Sequence, residues 1–403
     1  MEILWKKGIE KAMRNEKIST VTVLGSTGSI GRQTMEVVRG LGLTVYGISG
    51  GKNVALLEQQ IRAFSPAVCA VADEAAARDL RVRVQDLSTR VEAGAQAIEA
   101  LAAKPHADLV YNSILGTAGL RPTLAAVESG HDVALSNKET LVAAGQIVMR
   151  RAAEKGARIL PVDSEHCAIW QCLAANVERD VKRLILTCSG GPYFGCSPQQ
   201  LQSVTKEQTL SHPTWNMGAK ITVDCATLMN KGLELIEAMH LFSMPPEKIS
   251  IVIHRESIIH SMVEYIDHAV LAQMGVPDMR LCIQYAATAP RRLPGFCKEL
   301  DFAGGLSLSF CAPDETAFPA LPLARKAAQS GGILPCVLSA ANEIAVAAFL
   351  EGKIAFSSIV PLVGSVVEDT VNLKDPTLSD IFAADRDTRT LAIERIGRFS
   401  RRA

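Results

Sequence analysis

Val21-Thr-Val-Leu24 runs into Gly25-Ser-Thr-Gly28-Ser-Ile-Gly31, and a helical pattern begins near Arg32. This stretch decides the fold. Glycines at a strand-to-helix junction let backbone N–H groups approach a pyrophosphate, which also meets the positive end of the helix dipole. The spacing is G-x-x-G-x-x-G, not the commoner G-x-G-x-x-G, so phosphate contact falls to Thr27, Gly28, Ser29 and Ile30. A bare glycine turn is the competing reading, and the strand-to-helix setting weighs against it.

Outward from this loop, β-branched runs alternate with helical patterns at Val45–Ile48, Ala67–Val71, Leu109–Ile114, Val133–Ser136 and Ile159–Val162. Such alternation implies βαβ units and a parallel sheet. Residues 20–162 therefore read as a Rossmann-like, doubly wound α/β domain that binds a dinucleotide. An NAD site would place an acid about twenty residues after the loop. Here the second strand ends in Gly50-Gly51-Lys52-Asn53, without a carboxylate. Lys52 and the Asn53 amide suit the extra phosphate of NADP, so the chemistry favours NADPH; a solvated surface lysine is the alternative.

After Ser164 the rhythm changes. Arg183–Thr187, Ile249–His254, Ser261–Tyr265 and Val270–Met274 read as strands. The short connections among the last three suggest antiparallel pairing and an α+β domain over 163–300. Pro290–Pro313 is rich in Pro and Gly, and the linker is placed at 301–314. From Glu315 the pattern is helical, giving a C-terminal helical domain over 315–403. Residues 1–19 read as an N-terminal helical extension: Glu2, Glu10 and Glu16 do not suit a transit peptide, and no apolar run suits a signal peptide.

At 403 residues, two or three domains are expected. Lys+Arg and Asp+Glu balance at 42 each, so no net field draws in nucleic acid or an anionic membrane. The longest apolar stretch, Ile333 to Leu350, is broken by Pro335 and Asn342-Glu343 and falls short of a membrane span. Ten scattered cysteines without a Cys-x-x-Cys fit reduced thiols and a cytoplasmic address.

Two clusters carry chemistry. Asp163-Ser164-Glu165 follows Arg158–Val162, and in an extended strand carboxylates at i and i+2 point to one face, where they call for a cation. A solvated strand end is as good a reading of this pair alone, and His166 next to it is more often structural. Further on, Asn230, Lys231 and Glu234 share one face of a helical stretch, placing an anion binder beside a third carboxylate. A phosphorylated substrate that chelates a metal fits both clusters; a Lys–Glu surface pair is the bland alternative. Between them, Ser189-Gly190-Gly191-Pro192 is a turn whose hydroxyl and N–H groups suit phosphate. His212-Pro-Thr-Trp215-Asn-Met217-Gly218 has apolar groups that need cover, so the loop near 206–219 reads as a lid or as a static loop packed on the core.

These pieces together resemble the 1-deoxy-D-xylulose 5-phosphate reductoisomerase family. The likeness rests on GSTGSIG at 25–31, GGKN at 50–53, SNKE at 136–139, PVDSEH at 161–166, and HPTWNMG with MNKGLE within 212–234. HRESIIHSMVEY at 254–265, VPDMR at 276–280 and LSAANEIAVAAFL at 338–350 are similar as well. The resemblance implies Mg²⁺ or Mn²⁺, with Co²⁺ as a further option, on Asp163, Glu165 and Glu234. It implies substrate contacts from Lys138, Ser164, Glu165, Ser189, His212, Cys225, Asn230, Lys231 and Glu234, with Lys138, Glu165, Glu234 and His212 catalytic. NADPH would touch Thr27, Gly28, Ser29, Ile30, Gly51, Lys52, Asn53, Asn137, Glu139 and Gly218, while Trp215 and Met217 match the lid. Asn137 and Glu139 also read as the cap and first turn of a helix.

Cys225 stands where the family usually has a phosphate-contacting serine, and a thiol is a weak donor. Cys167 and Trp170 stand where Asn and Phe are usual. The implied reaction rearranges a deoxyketose phosphate by retroaldol cleavage and re-addition, then reduces the aldehyde, in a homodimer that joins through its middle domain. Two rivals remain. A semialdehyde-type NADP-dependent dehydrogenase would need Cys167 as nucleophile, and a non-catalytic NADP-sensing protein would need neither three carboxylates nor a lid.

Overall fold

The computed structural model describes residues 18–174, 180–210 and 218–400. Two compact units divide the chain. The first runs to Thr140 and takes in Val148–Trp170 and Asp278–Lys298; the second comprises Leu141–Ile147, Gln171–Pro277 and the chain from Glu299 onward.

The first unit is built on a seven-stranded parallel sheet: β1 (Thr20–Leu24), β2 (Thr44–Gly50), β3 (Val68–Val71), β4 (Arg90–Ala93), β5 (Leu109–Asn112), β6 (Asp132–Leu135) and β7 (Ile159–Pro161). Their order, β4-β3-β2-β1-β5-β6-β7, reverses direction between β1 and β5. In open α/β sheets that reversal opens a crevice at the strands' carboxyl ends, where ligands bind. The doubly wound expectation holds. β4 was not anticipated: it is an edge strand in which one valine among charged neighbours gives little apolar signal. The sheet core is sealed by Val21, Val23, Ile48, Leu57, Leu109 and Tyr111, and the Tyr111 hydroxyl donates to Ile283 O at 2.9 Å, fastening the Arg280–Thr288 helix to the sheet.

The second unit holds a mixed four-stranded sheet of β8 (Val181–Cys188), β9 (Ile249–Ile253), β10 (Ile259–Tyr265) and β11 (Val270–Met274), in the order β11-β10-β8-β9. β10 pairs antiparallel with β8 and β11, whereas β9 pairs parallel with β8. The expected antiparallel run of the last three strands is thus half correct. Between β8 and β9 lie the helices Ala219–Ala226 and Met229–Leu241, a crossover that returns the chain parallel, and β9 and β10 then flank β8 from opposite sides. Helices Ala320–Ser330, Leu334–Leu350, Ile359–Asp369 and Leu378–Phe399 make the C-terminal region helical, as expected. No helix among the described residues is long and apolar enough to cross a membrane.

Candidate active site

The glycine loop leaves β1 into the Ser29–Gly40 helix. Gly25 takes φ +77°, and a Cβ there would lie 2.9 Å from Ser113 O in the segment after β5. Gly31 is tighter still: its Cβ would stand 2.1 Å from Gly25 O and 2.6 Å from Ser26 Cα. Gly28 is the N-cap and makes no side-chain cap bond, and no acid sits in the first turn, so no side chain caps the leading N–H groups at the positive end of the helix dipole. Buried polar residues brace the loop. Ser26 Oγ donates to Gln60 Oε1 at 2.6 Å, Gln60 Nε2 donates to Ser26 O at 2.9 Å, and Gly25 N donates to Ser49 Oγ at 3.0 Å. The sequence reading passed over Ser26, Ser49 and Gln60; the signal was a glutamine on the apolar face of the Val54–Phe64 helix.

At the end of β2, nothing lies within 4 Å of where a Cβ on Gly51 would sit. Lys52 is 85% exposed, with Nζ 3.9 Å from Asp73 at the end of β3. Asn53 caps the Val54–Phe64 helix, its Oδ1 accepting from Leu56 N at 3.2 Å, which leaves the NH2 side of the amide as its donor. Asp73 likewise caps the next helix, and the Ala76 N–H bond holds its carboxyl below the usual value, with Lys52 adding to this against partial desolvation.

Asn137 caps the Lys138–Lys155 helix: its Oδ1 accepts from Thr140 N at 2.7 Å, and its Nδ2 donates to Gly116 O at 2.8 Å and to Ile114 O. The cap reading is therefore the structural one, and the side-chain amide is occupied in holding the loop after β5. Glu139 is buried in the first turn. Lys138, also buried, places Nζ 2.9 Å from Asp163 Oδ2, and His166 Nδ1 lies 3.1 Å from Asp163 Oδ1. Burial pushes the Asp163 carboxyl upward, but the Lys138 ammonium and His166 outweigh it and hold the carboxyl well below the usual range.

The extended geometry expected for Asp163–Glu165 is corrected. β7 ends at Pro161 and a helix spans Ser164–Leu173, with Cys167 N bonded to Asp163 O at 2.9 Å. Glu165 N donates to Asp163 Oδ1 at 3.3 Å, so the aspartate serves as a cap, and the Ser164 hydroxyl donates to Glu165 Oε2. The two carboxylates keep to one helix start, joined by a turn and not by strand alternation.

In the second unit, Ser189, Gly190 and Gly191 follow β8, with φ +77° at Gly190 and +67° at Gly191. A Cβ on Gly191 would lie 2.7 Å from Cys225 O, so the turn packs directly on the last turn of the Ala219–Ala226 helix, beside the half-buried Cys225. Gly218 is that helix's N-cap. The expected helical face of Asn230, Lys231 and Glu234 is present: Asn230 Nδ2 donates to Glu234 Oε1, Lys231 Nζ to Glu234 Oε2, and Lys231 and Glu234 are buried. His212, Trp215 and Met217 lie outside the described residues. Arg255, not singled out from sequence, donates from Nη1 to Ser189 O and to Gly191 O, each at 2.7 Å.

Cys167 is fully buried in an apolar cluster with Cys282 and Tyr285, against Trp170. A nucleophile needs access to substrate and a stabilised thiolate, so this environment weighs against the semialdehyde-type rival. None of the ten cysteines is joined in a disulfide.

Three family models match the chain: 1-deoxy-D-xylulose 5-phosphate reductoisomerase over residues 21–145, its C-terminal domain over 159–242, and DXP reductoisomerase C-terminal domain over 274–391. The reductoisomerase of Pelotomaculum thermopropionicum is 48% identical over 380 residues, covering 94% of this chain and 98% of that protein. That of Chlorobium chlorochromatii is 49% identical over 374 residues, covering 92% and 98%. Among solved structures, the Zymomonas mobilis reductoisomerase in complex with NADPH is 42% identical with a TM-score of 0.89, covering 94% of this chain and 99% of that one. A DOX-P reductoisomerase in complex with NADPH, fosmidomycin and magnesium is 37% identical with a TM-score of 0.90, covering 94% and 98%.

Proposed function

The chain belongs to the 1-deoxy-D-xylulose 5-phosphate reductoisomerase family, and from that membership we infer its reaction: the NADPH-dependent conversion of 1-deoxy-D-xylulose 5-phosphate to 2-C-methyl-D-erythritol 4-phosphate in non-mevalonate isoprenoid synthesis. It is an NADP-dependent oxidoreductase. The observation that carries this reading is the pair of acidic, lysine-matched clusters inside the matched segments: Asp163 and Glu165 with Lys138 in the first unit, and Glu234 with Asn230 and Lys231 in the second.

In this reading Asp163, Glu165 and Glu234 hold one divalent ion. The donor set fits Mg²⁺ or Mn²⁺, and Co²⁺ less selectively, because hard ions take carboxylate oxygens and leave positions for substrate oxygens. The Gly25–Gly31 loop, with Thr27, Gly28, Ser29 and Ile30, holds the NADPH pyrophosphate, and Lys52 and Asn53 hold its extra phosphate. Gly51, Gly218, Glu139 and the backbone at Asn137 complete the cofactor contacts. When bound, ion and NADPH supply Lewis acidity toward the ketone and hydroxyl oxygens and the hydride for the rearranged aldehyde.

The chain's own residues do the rest. Ser189, Asn230 and Lys231, with the weaker Cys225 thiol, grip the phosphate, so that its binding energy orients the distant carbons. Ser164 and Glu165 contact the sugar end. Lys138, beside Asp163, steadies negative charge developing on the reacting oxygens or relays a proton. His212 contacts substrate, and Trp215 and Met217 close over it and exclude water.

The second unit also supports a homodimer through the four-stranded sheet, since β11 is an open edge strand carrying exposed Val270 and Leu271, with Ile266 exposed nearby. Cysteines kept as thiols, without a disulfide, support a cytoplasmic address. We assign cofactor binding to 20–162, catalysis and pairing of subunits to 163–300, and support to 315–403.

The test follows the absorbance of the reduced nicotinamide of NADPH with deoxyxylulose phosphate and Mg²⁺ or EDTA. Turnover that needs both metal and substrate is expected. Oxidation of NADPH that ignores EDTA would overturn the reading, and iodoacetamide that abolishes turnover would revive the dehydrogenase rival.

A further inference from the structure

In the turn after β8, two successive glycines in the left-handed region turn the Ser189 and Gly191 carbonyls to one side, where their partial negative charges would lie together. Arg255 answers both, Nη1 donating to each oxygen at 2.7 Å, while its guanidinium carbon sits 5.0 Å from the centre of the Phe194 ring. Across a trans peptide the N–H points opposite to the C=O, so fixing Ser189 O directs Gly190 N–H away from Arg255. Ser189 Oγ accepts from Gly191 N at 3.2 Å, which turns its hydrogen away from Gly191.

The residue before Arg255 is fixed at its backbone and at both ring nitrogens. His254 N donates to Cys188 O at 2.7 Å, and His254 Nε2 accepts from Ile258 N and Ile259 N, both at 3.1 Å. An Nε2 that accepts twice puts the ring proton on Nδ1, which lies 2.9 Å from Ser309 O.

We propose that Arg255 is a positioning residue for the substrate's phosphate: by clamping the Ser189 and Gly191 carbonyls it aims the Gly190 N–H and the Ser189 hydroxyl at the anion, and it adds a positive charge behind the turn. This rests on the phosphosugar reading given above. The clamp touches only one side of the phosphate grip and leaves Asn230 and Lys231 to orient the distant carbons, so its loss falls mainly on binding shared by ground state and transition state.

The experiment measures KM and kcat for deoxyxylulose phosphate, the Ki of inorganic phosphate against that substrate, and the NADPH Kd, in the parent enzyme and in Arg255→Met and Arg255→Lys. Removing two charge-assisted bonds should raise KM and the phosphate Ki together by about tenfold to a hundredfold in Arg255→Met, with kcat within about threefold and NADPH Kd unchanged. Arg255→Lys, which keeps the cation, should recover at least part of both. A rise in KM without a rise in Ki, a joint loss of kcat and NADPH affinity, or no change at all would overturn the proposal. If Arg255→Met does not fold, the Lys variant decides by the same pair of constants. A parent enzyme inactive on deoxyxylulose phosphate would instead sink the underlying reading.

Discussion

Replacing Gly31 by alanine tests the nucleotide loop through a single methyl group. The added Cβ would lie 2.1 Å from Gly25 O and 2.6 Å from Ser26 Cα, both main-chain atoms. Carbon–oxygen contacts ordinarily begin at about 3.3 Å, so the loop or the helix start must move by roughly 1 Å. Two effects oppose each other. Alanine favours a helix over glycine by about 1 kcal/mol, while overpacking costs about 1–3 kcal/mol, and the cost wins here because the atoms met belong to backbone braced by Ser49 and Gln60. At about 2–4 °C per kcal/mol for a unit of this size, the melting temperature should fall by a few degrees. A shift of that order in the phosphate-facing N–H groups should weaken NADPH by about tenfold to a hundredfold. Gly51→Ala is the matched control for packing, since no atom lies within 4 Å of its Cβ position, and a surface effect within about 0.5 kcal/mol should move the melting temperature by no more than about 2 °C. Cofactor fluorescence titration and thermal unfolding read both variants. Gly31→Ala binding NADPH as tightly as the parent, with an unshifted melting point, would refute the close-packing argument.

Other perturbations separate the roles assigned above. Glu234→Gln should cut turnover by about a thousandfold, because a metal-dependent barrier loses a charged ligand, while NADPH Kd stays the same; equal loss of both would count against that division. His260 is buried, and desolvation lowers its imidazole to about 4, with Lys231 and His254 adding to the effect against backbone bonds from Gly275 and Val276. Its folded value lies below the unfolded one of about 6.5, so its stabilising contribution is complete above that pH and drains away as pH falls toward 4. Urea unfolding across that window should show declining stability, and His260→Asn should flatten the decline; an identical slope in the variant would exclude His260 as its source.

Much of this was readable from the chain because the signals were periodic. Six of the seven parallel strands announced themselves as β-branched runs, and the shared face of Asn230, Lys231 and Glu234 followed from helical spacing alone. The failures have physical causes. Asp163 and Glu165 were read as a strand because Ile159–Val162 looked continuous into them, yet aspartate competes as a helix cap and the chain turns helical at Ser164. The short connection between β9 and β10 suggests antiparallel pairing, whereas the helices between β8 and β9 return β9 parallel to β8. Arg255 escaped notice because its work is done through main-chain carbonyls of residues far back in the sequence, which carry no side-chain signature.

The Asn137 amide has a consequence of its own. One short side chain fastens the start of the helix that carries Lys138 and, at its other end, the Ile114 and Gly116 carbonyls. The ammonium beside Asp163 and the rim of the nucleotide crevice thus share a rivet, and jitter in one is inherited by the other. An aspartate in its place would keep the cap while turning two attractions into repulsions, so wear at the crevice would register as blur at the lysine.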